Sequence, residues 1–131
     1  FGYRSSVFSK NGGIILGAKL KLQPGVKEEI LEKSRDLNRR RVEKQPLDYP
    51  SAGSTFKRPP GYFAGALIQQ AGLKGYEIGG AQVSEKHSGF IINAGGATAK
   101  NVLDLIQYVK KEVKRCSGVE LTEEVKVVGK D

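Results

Sequence analysis

From Gly12 to Gly25 the chain alternates, with Leu16, Ala18, Leu20 and Leu22 on one parity and Ile15, Gly17, Lys19 and Lys21 on the other. A period of two with one wholly apolar set predicts a strand turned toward a core, bracketed by Gly12-Gly13 and Pro24-Gly25. The period then lengthens to that of a helix. Residues 26–44 place Val26, Ile30, Ser34 and Leu37 on a narrow inner face, and Pro46 ends the run. Residues 49–56 read as extended. After Pro59-Pro60-Gly61, the stripe Phe63, Ala64, Leu67, Ile68 and Ala71 predicts a short helix stopped by Gly72.

Strands are predicted next over residues 81–83 and 90–93, separated by a polar turn at 85–88. Thr98 is placed as the N-cap of the clearest helix, in which Val102, Leu105, Ile106, Val109, Val113 and Cys116 keep helical spacing up to Gly118. That spacing assigns Cys116 to the core. Two short strand patterns, 119–121 and 125–128, flank the acidic corner Glu123-Glu124. The succession predicts an α+β fold with a boundary near Pro46, where the charged helix gives way to an extended segment.

Charge adds a question to this picture. Lys and Arg number 22 against 14 acids, a formal net charge of +8, and such an excess raises a polyanion partner. Between Lys27 and Lys44, however, the acids mostly lead and the bases trail, which is the order that complements a helix dipole. Asp36 and Arg40 also stand four apart on one face. The single cysteine and single histidine provide neither a disulfide framework nor a Cys/His metal cluster. No apolar run is long enough to cross a bilayer. The opening Phe1-Gly2-Tyr3 and the lack of methionine read as part of a longer protein.

The segment YPSAGSTFKRPPGYFAGALIQQAG, residues 49–72, sets a serine behind a glycine and then two cations before a Pro-Pro-Gly break. AGST does not have the spacing of a nucleophile elbow, and His87 is one candidate base without a triad. Neither IGGAQ nor AGGAT has the glycine spacing of a dinucleotide or phosphate loop. By itself Ser54 reads as a turn hydroxyl, and Arg4 and Glu124 as surface charges. A serine hydroxyl can also pass a proton to a developing carbanion when neighbouring charges stabilise both states.

Three stretches carry a resemblance: FGYRSSVF; YPSAGSTFKRPPGYFAGALIQQAGLKGYEIGGAQVSEKHSGFIIN; and GVELTEEVKVVG. Together they are similar to the C-terminal half of bacterial UDP-N-acetylenolpyruvoylglucosamine reductases, the UDP-N-acetylmuramate dehydrogenase or MurB family. The likeness spans nearly the whole chain. The segment joining the first motif to the serine motif lacks the tyrosine-bearing insertion of one branch, so the chain resembles the shorter branch.

The resemblance implies a cytoplasmic flavoenzyme of peptidoglycan precursor synthesis. In it NADPH reduces FAD, and the enolpyruvyl double bond of UDP-N-acetylglucosamine enolpyruvate is reduced to give UDP-N-acetylmuramate. It implies Ser54 as proton donor, with Arg4 and Glu124 near the substrate carboxylate. Lys57 and Arg58 become a candidate clamp for the substrate diphosphate, since a guanidinium matches phosphate geometry, and His87 a candidate substrate contact. Residues 1–46 would form the tail of the flavin-binding domain and residues 47–131 the substrate-binding domain. FAD would sit chiefly on the part of such a protein that precedes this chain, leaving the chain inactive alone. A monomer with no nucleic-acid or membrane partner is expected. The alternative is a basic binding module for RNA or another polyanion.

Overall fold

The computed structural model describes Gly2 and residues 6–129, and the chain divides into two compact units, Phe1–Ser34 and Arg35–Asp131. The first unit contains the helical turn α1 (Phe8–Asn11), closed by Gly12 at φ +67°. Residues 12–26 follow without regular structure. The strand expected there does not form, because its N–H and C=O groups have no neighbouring strand among the described residues. Its apolar set faces solvent instead, with Leu16 at 96% and Leu22 at 81% exposure.

Helix α2 (Lys27–Lys44) starts in the first unit and ends in the second. Glu28 and Glu29 lie in its first turn and Arg41 and Lys44 in its last, as the dipole argument requires. Asp36 takes Arg39 at 2.6 Å and Arg40 at 2.7 Å. The inner face expected for Val26, Ile30, Ser34 and Leu37 is not buried, since no described element packs over it. In the second unit Lys86 Nζ donates to Val42 O at 2.7 Å, giving a last-turn carbonyl the cation it favours.

The second unit is built on a four-stranded antiparallel sheet in the order β1-β4-β3-β2, comprising β1 (Ser51–Ser54), β2 (Glu77–Ile78), β3 (Ala81–Val83) and β4 (Phe90–Asn93). Helix α3 (Ala64–Gln70) buries Ala64, Leu67 and Ile68. Helix α4 (Ala99–Ser117) is opened by a capping box: Asn101 N donates to Thr98 Oγ1, and Thr98 N donates to Asn101 Oδ1. It buries Leu105, Ile106, Val109 and Val113, which meet Leu67, Ile68, Ala81, Val83 and Ile91 in one core. Each Leu, Ile or Val among them contributes about 1.5–3 kcal/mol by leaving water. The fold is α+β, as the pattern predicted.

Two expectations fail in this unit. Cys116 is exposed, because the burial of α4 ends at Val113 and residues 114–117 lie in solvent. Residues 119–121 and 125–128 form no strands. Their neighbourhood holds the isolated bridge Phe56↔Glu123, flanked by Lys57 N→Thr122 O at 2.8 Å and Glu124 N→Thr55 O at 2.9 Å. Pro59 and Pro60, which would oppose residues 120 and 119, prevent further pairing on that side, since Pro has no N–H to donate.

Candidate active site

The site forms where β1 ends. Gly53 has φ +86°, a left-handed conformation that glycine adopts without steric cost, and the β1–β4 register shifts between Ser51 and Ser54. This bulge re-aims the strand at the residue that follows. Ser54 is exposed, and its Oγ donates a long 3.4 Å bond to Phe56 O. The hydroxyl is thus supported but can rotate to another acceptor.

Thr55 ties three segments together. It is 3% exposed; its N–H donates to Gly89 O at 2.8 Å, its Oγ1 accepts from Ile91 N at 3.1 Å, and its carbonyl accepts from Glu124 N at 2.9 Å. The sequence therefore returns Glu124 to the residue next to Ser54 after a long excursion through α3, the sheet and α4. The pairing is fixed from the other side as well. Glu123 is paired opposite the buried Phe56, and its Oε1 accepts from Lys110 Nζ of α4 at 2.7 Å. The Lys110 hydrogen bond and the backbone N–H of Glu123 hold its carboxyl below the usual range.

His87 sits on the turn between β3 and β4. Ser84, 1% exposed, accepts from the N–H groups of Lys86 and His87 at 3.2 Å each, and so shapes that turn. Nδ1 of His87 accepts from Gly89 N at 3.1 Å, which puts the ring proton of the neutral form on Nε2. The ring packs edge-on to Phe90 at 5.0 Å and lies against Gly65 and Gly89. A Cβ at Gly89 would lie 3.0 Å from His87 Cε1, so the ring depends on that glycine. Gly89 also gives its carbonyl to Thr55, and the turn of His87 is thereby joined to the Ser54 strand.

Lys57 and Arg58 are exposed and follow directly. The Lys57 N–H bonds to Thr122 O, and the Arg58 guanidinium lies 4.0 Å from the centroid of the Phe63 ring. Backbone bonds thus link the segment of Ser54 to Lys57 with Gly89, two residues from His87, and with Thr122 and Glu124, and Arg58 follows Lys57 in the chain. Arg4 lies outside the described residues. Sequence reasoning missed Gly53 as the bulge residue, Thr55 as the tie and Phe63 as the partner of Arg58. The last had a signal, an aromatic set just past a Pro-Pro-Gly turn from a cation.

Known proteins match this chain along nearly all of its length. A family model described as UDP-N-acetylenolpyruvoylglucosamine reductase, C-terminal domain, matches residues 45–128. A relative from Caldanaerobacter subterraneus subsp. tengcongensis, named UDP-N-acetylenolpyruvoylglucosamine reductase, is 63% identical over 129 residues, which is 98% of this chain. One of the same name from Clostridium perfringens is 60% identical over 130 residues. The chain spans 43% of the length of either. Among solved structures, the UDP-N-acetylenolpyruvylglucosamine reductase of Thermus caldophilus superposes with a TM-score of 0.80 at 41% identity, covering 96% of this chain and 44% of that one. A family model over residues 45–128, close identity in several bacteria and a shared fold agree: the chain belongs to the UDP-N-acetylenolpyruvoylglucosamine reductase family, and its residues 45–128 correspond to that family's C-terminal domain.

Proposed function

We propose that this chain is the substrate-side part of a reductase that converts UDP-N-acetylglucosamine enolpyruvate to UDP-N-acetylmuramate in peptidoglycan precursor synthesis, with Ser54 as proton donor. The observation that carries this reading is the Glu124 N→Thr55 O bond, which sets an acidic residue beside the serine strand. Protonation of the carbon next to the substrate carboxylate needs a hydroxyl with a mobile proton, and the long bond from Ser54 leaves its proton available. Glu124 and Arg4 are assigned to the developing enolate, where preorganised polar groups have their largest effect. Lys57 and Arg58 are assigned to the substrate diphosphate, and His87 to a polar substrate contact. Residues 1–46 are assigned to the tail of a flavin-binding domain and residues 47–131 to the substrate domain.

FAD and NADPH are the proposed cofactors, and the glycine pairs among the described residues form no diphosphate cradle for either. Two glycine pairs, Gly79-Gly80 and Gly95-Gly96, pack on one another so closely that a Cβ at Gly80 would lie 2.0 Å from Gly95 O, which leaves no cradle for a diphosphate between them. The flavin is accordingly assigned to the portion of the full-length relatives that this chain does not span. When bound there it supplies the hydride. A cytoplasmic monomer is part of the same reading; no helix among the described residues is long and apolar enough to cross a membrane.

The test is stopped-flow absorbance on the full-length holoenzyme. Ser54→Ala should leave flavin reduction by NADPH nearly intact while slowing flavin reoxidation by substrate by about 100- to 10,000-fold, the range for a positioned acid. Reoxidation at the wild-type rate would remove Ser54 from the proton transfer.

A further inference from the structure

We propose that Phe63 is a positioning residue for Arg58, presetting its guanidinium for a phosphate of the substrate; this rests on the assignment of Arg58 to the diphosphate. The observation is a short closed turn. Pro59 and Pro60 fix two φ angles, Gly61 takes φ +76°, and Tyr62 N donates to Pro59 O at 3.1 Å. The chain then folds back, so that Arg58 Nε donates to Tyr62 O at 3.3 Å while the guanidinium carbon stands 4.0 Å over the Phe63 ring.

Both side chains are exposed, and Phe63 retains 62% of its surface. An apolar ring left in water at a helix N-cap, on a stripe whose neighbours Ala64, Leu67 and Ile68 are buried, does not serve the core. Its described contact of consequence is the cation. An exposed arginine otherwise spreads over many rotamers, and a ligand that binds it must first order it. Here the ring takes one guanidinium face and the Tyr62 carbonyl takes Nε–H. The terminal amino groups have no partner among the described residues. Those groups present the paired N–H geometry that a phosphate accepts. The ring therefore acts on binding, through the orientation of Arg58.

The experiment is a double-mutant cycle in the full-length holoenzyme with UDP-N-acetylglucosamine enolpyruvate as varied substrate: Arg58→Ala, Phe63→Leu, Phe63→Tyr and the double variant Arg58→Ala/Phe63→Leu. Phe63→Leu should raise KM roughly 2- to 5-fold, the span expected for an exposed cation–π contact, with kcat changed less than about 2-fold. Phe63→Tyr, which keeps the ring, should restore KM. On the Arg58→Ala background Phe63→Leu should add nothing further. A raised KM for Arg58→Ala together with a wild-type KM for Phe63→Leu would overturn the role of Phe63 while keeping that of Arg58. An unchanged KM for Arg58→Ala would overturn the diphosphate assignment and the inference with it. Additive effects of the two changes would show that Phe63 acts by some other route, and would also overturn the inference.

Discussion

Glu123 and Lys110 illustrate how much the site depends on a pair that does no chemistry. The bridge at Phe56 is a single pairing between segments without further ladder, and the Lys110–Glu123 contact at 2.7 Å ties its acidic side to α4. Both side chains are about 30% exposed, so the pair belongs with modest ion pairs of about 0.2–1 kcal/mol. The Glu123 carboxyl is held low first by the Lys110 hydrogen bond and then by its own backbone N–H. A carboxyl with a lower pKa folded than unfolded adds stability above its unfolded value and loses it as pH falls through the folded one. Lys110→Met should therefore destabilise the protein by about 0.2–1 kcal/mol at pH 7, and by progressively less below the ordinary glutamate value of about 4.3. Denaturant unfolding at pH 7 and pH 3 measures this, and equal losses at both would refute it. At this same scale the identity of Ser54 was readable only through a resemblance, since nothing in AGST distinguishes a proton donor from a turn hydroxyl. The bulge at Gly53 and the three bonds of Thr55 place Ser54 next to a residue that joins positions far apart in the chain.

Elements differ in how much of their stability is local. Helix α4 has its cap, its apolar stripe and its stop residue Gly118 within one stretch of sequence, and it folds over the predicted span, with only the burial of Cys116 differing. Strand β2 is only two residues long and no period announces it, but Gly79-Gly80 was a signal for it. The pair forms a two-residue hairpin at φ +55° and +87°, with Ile78 opposite Ala81. Gly80→Ala should destabilise the protein by about 2 kcal/mol or more, since the new residue would hold a left-handed conformation and meet Gly95 O at 2.0 Å. Thermal unfolding would show it, and an unchanged Tm would contradict the hairpin geometry.

Across the whole chain, stability is expected to be uneven. Residues 105–113 of α4 and strand β3 supply much of the core, whereas residues 14–22 are exposed and pair with no strand among the described residues. Hydrogen exchange on this chain should be slowest in the first set and close to that of an unstructured peptide in the second. Protection over residues 14–22 equal to that of α4 would refute this. The contrast also divides what sequence and structure each decided. Local rules sufficed for the α+β class, for β3, β4 and α4, and for the polar turn of His87, because caps, turn residues and periodicity act over a few positions. The apolar alternation at 16–22 was equally clear, yet it became neither strand nor core, since a strand exists only beside a partner. Cys116 kept helical spacing and is still exposed, because spacing selects a face of a helix and packing decides whether anything covers it. The joining of the Ser54 strand to the segments of His87 and Glu124 was likewise beyond local reading: it rests on Thr55, Lys57, Gly89, Thr122 and Glu124, whose backbone groups find each other only once the sheet and α4 have brought distant segments together.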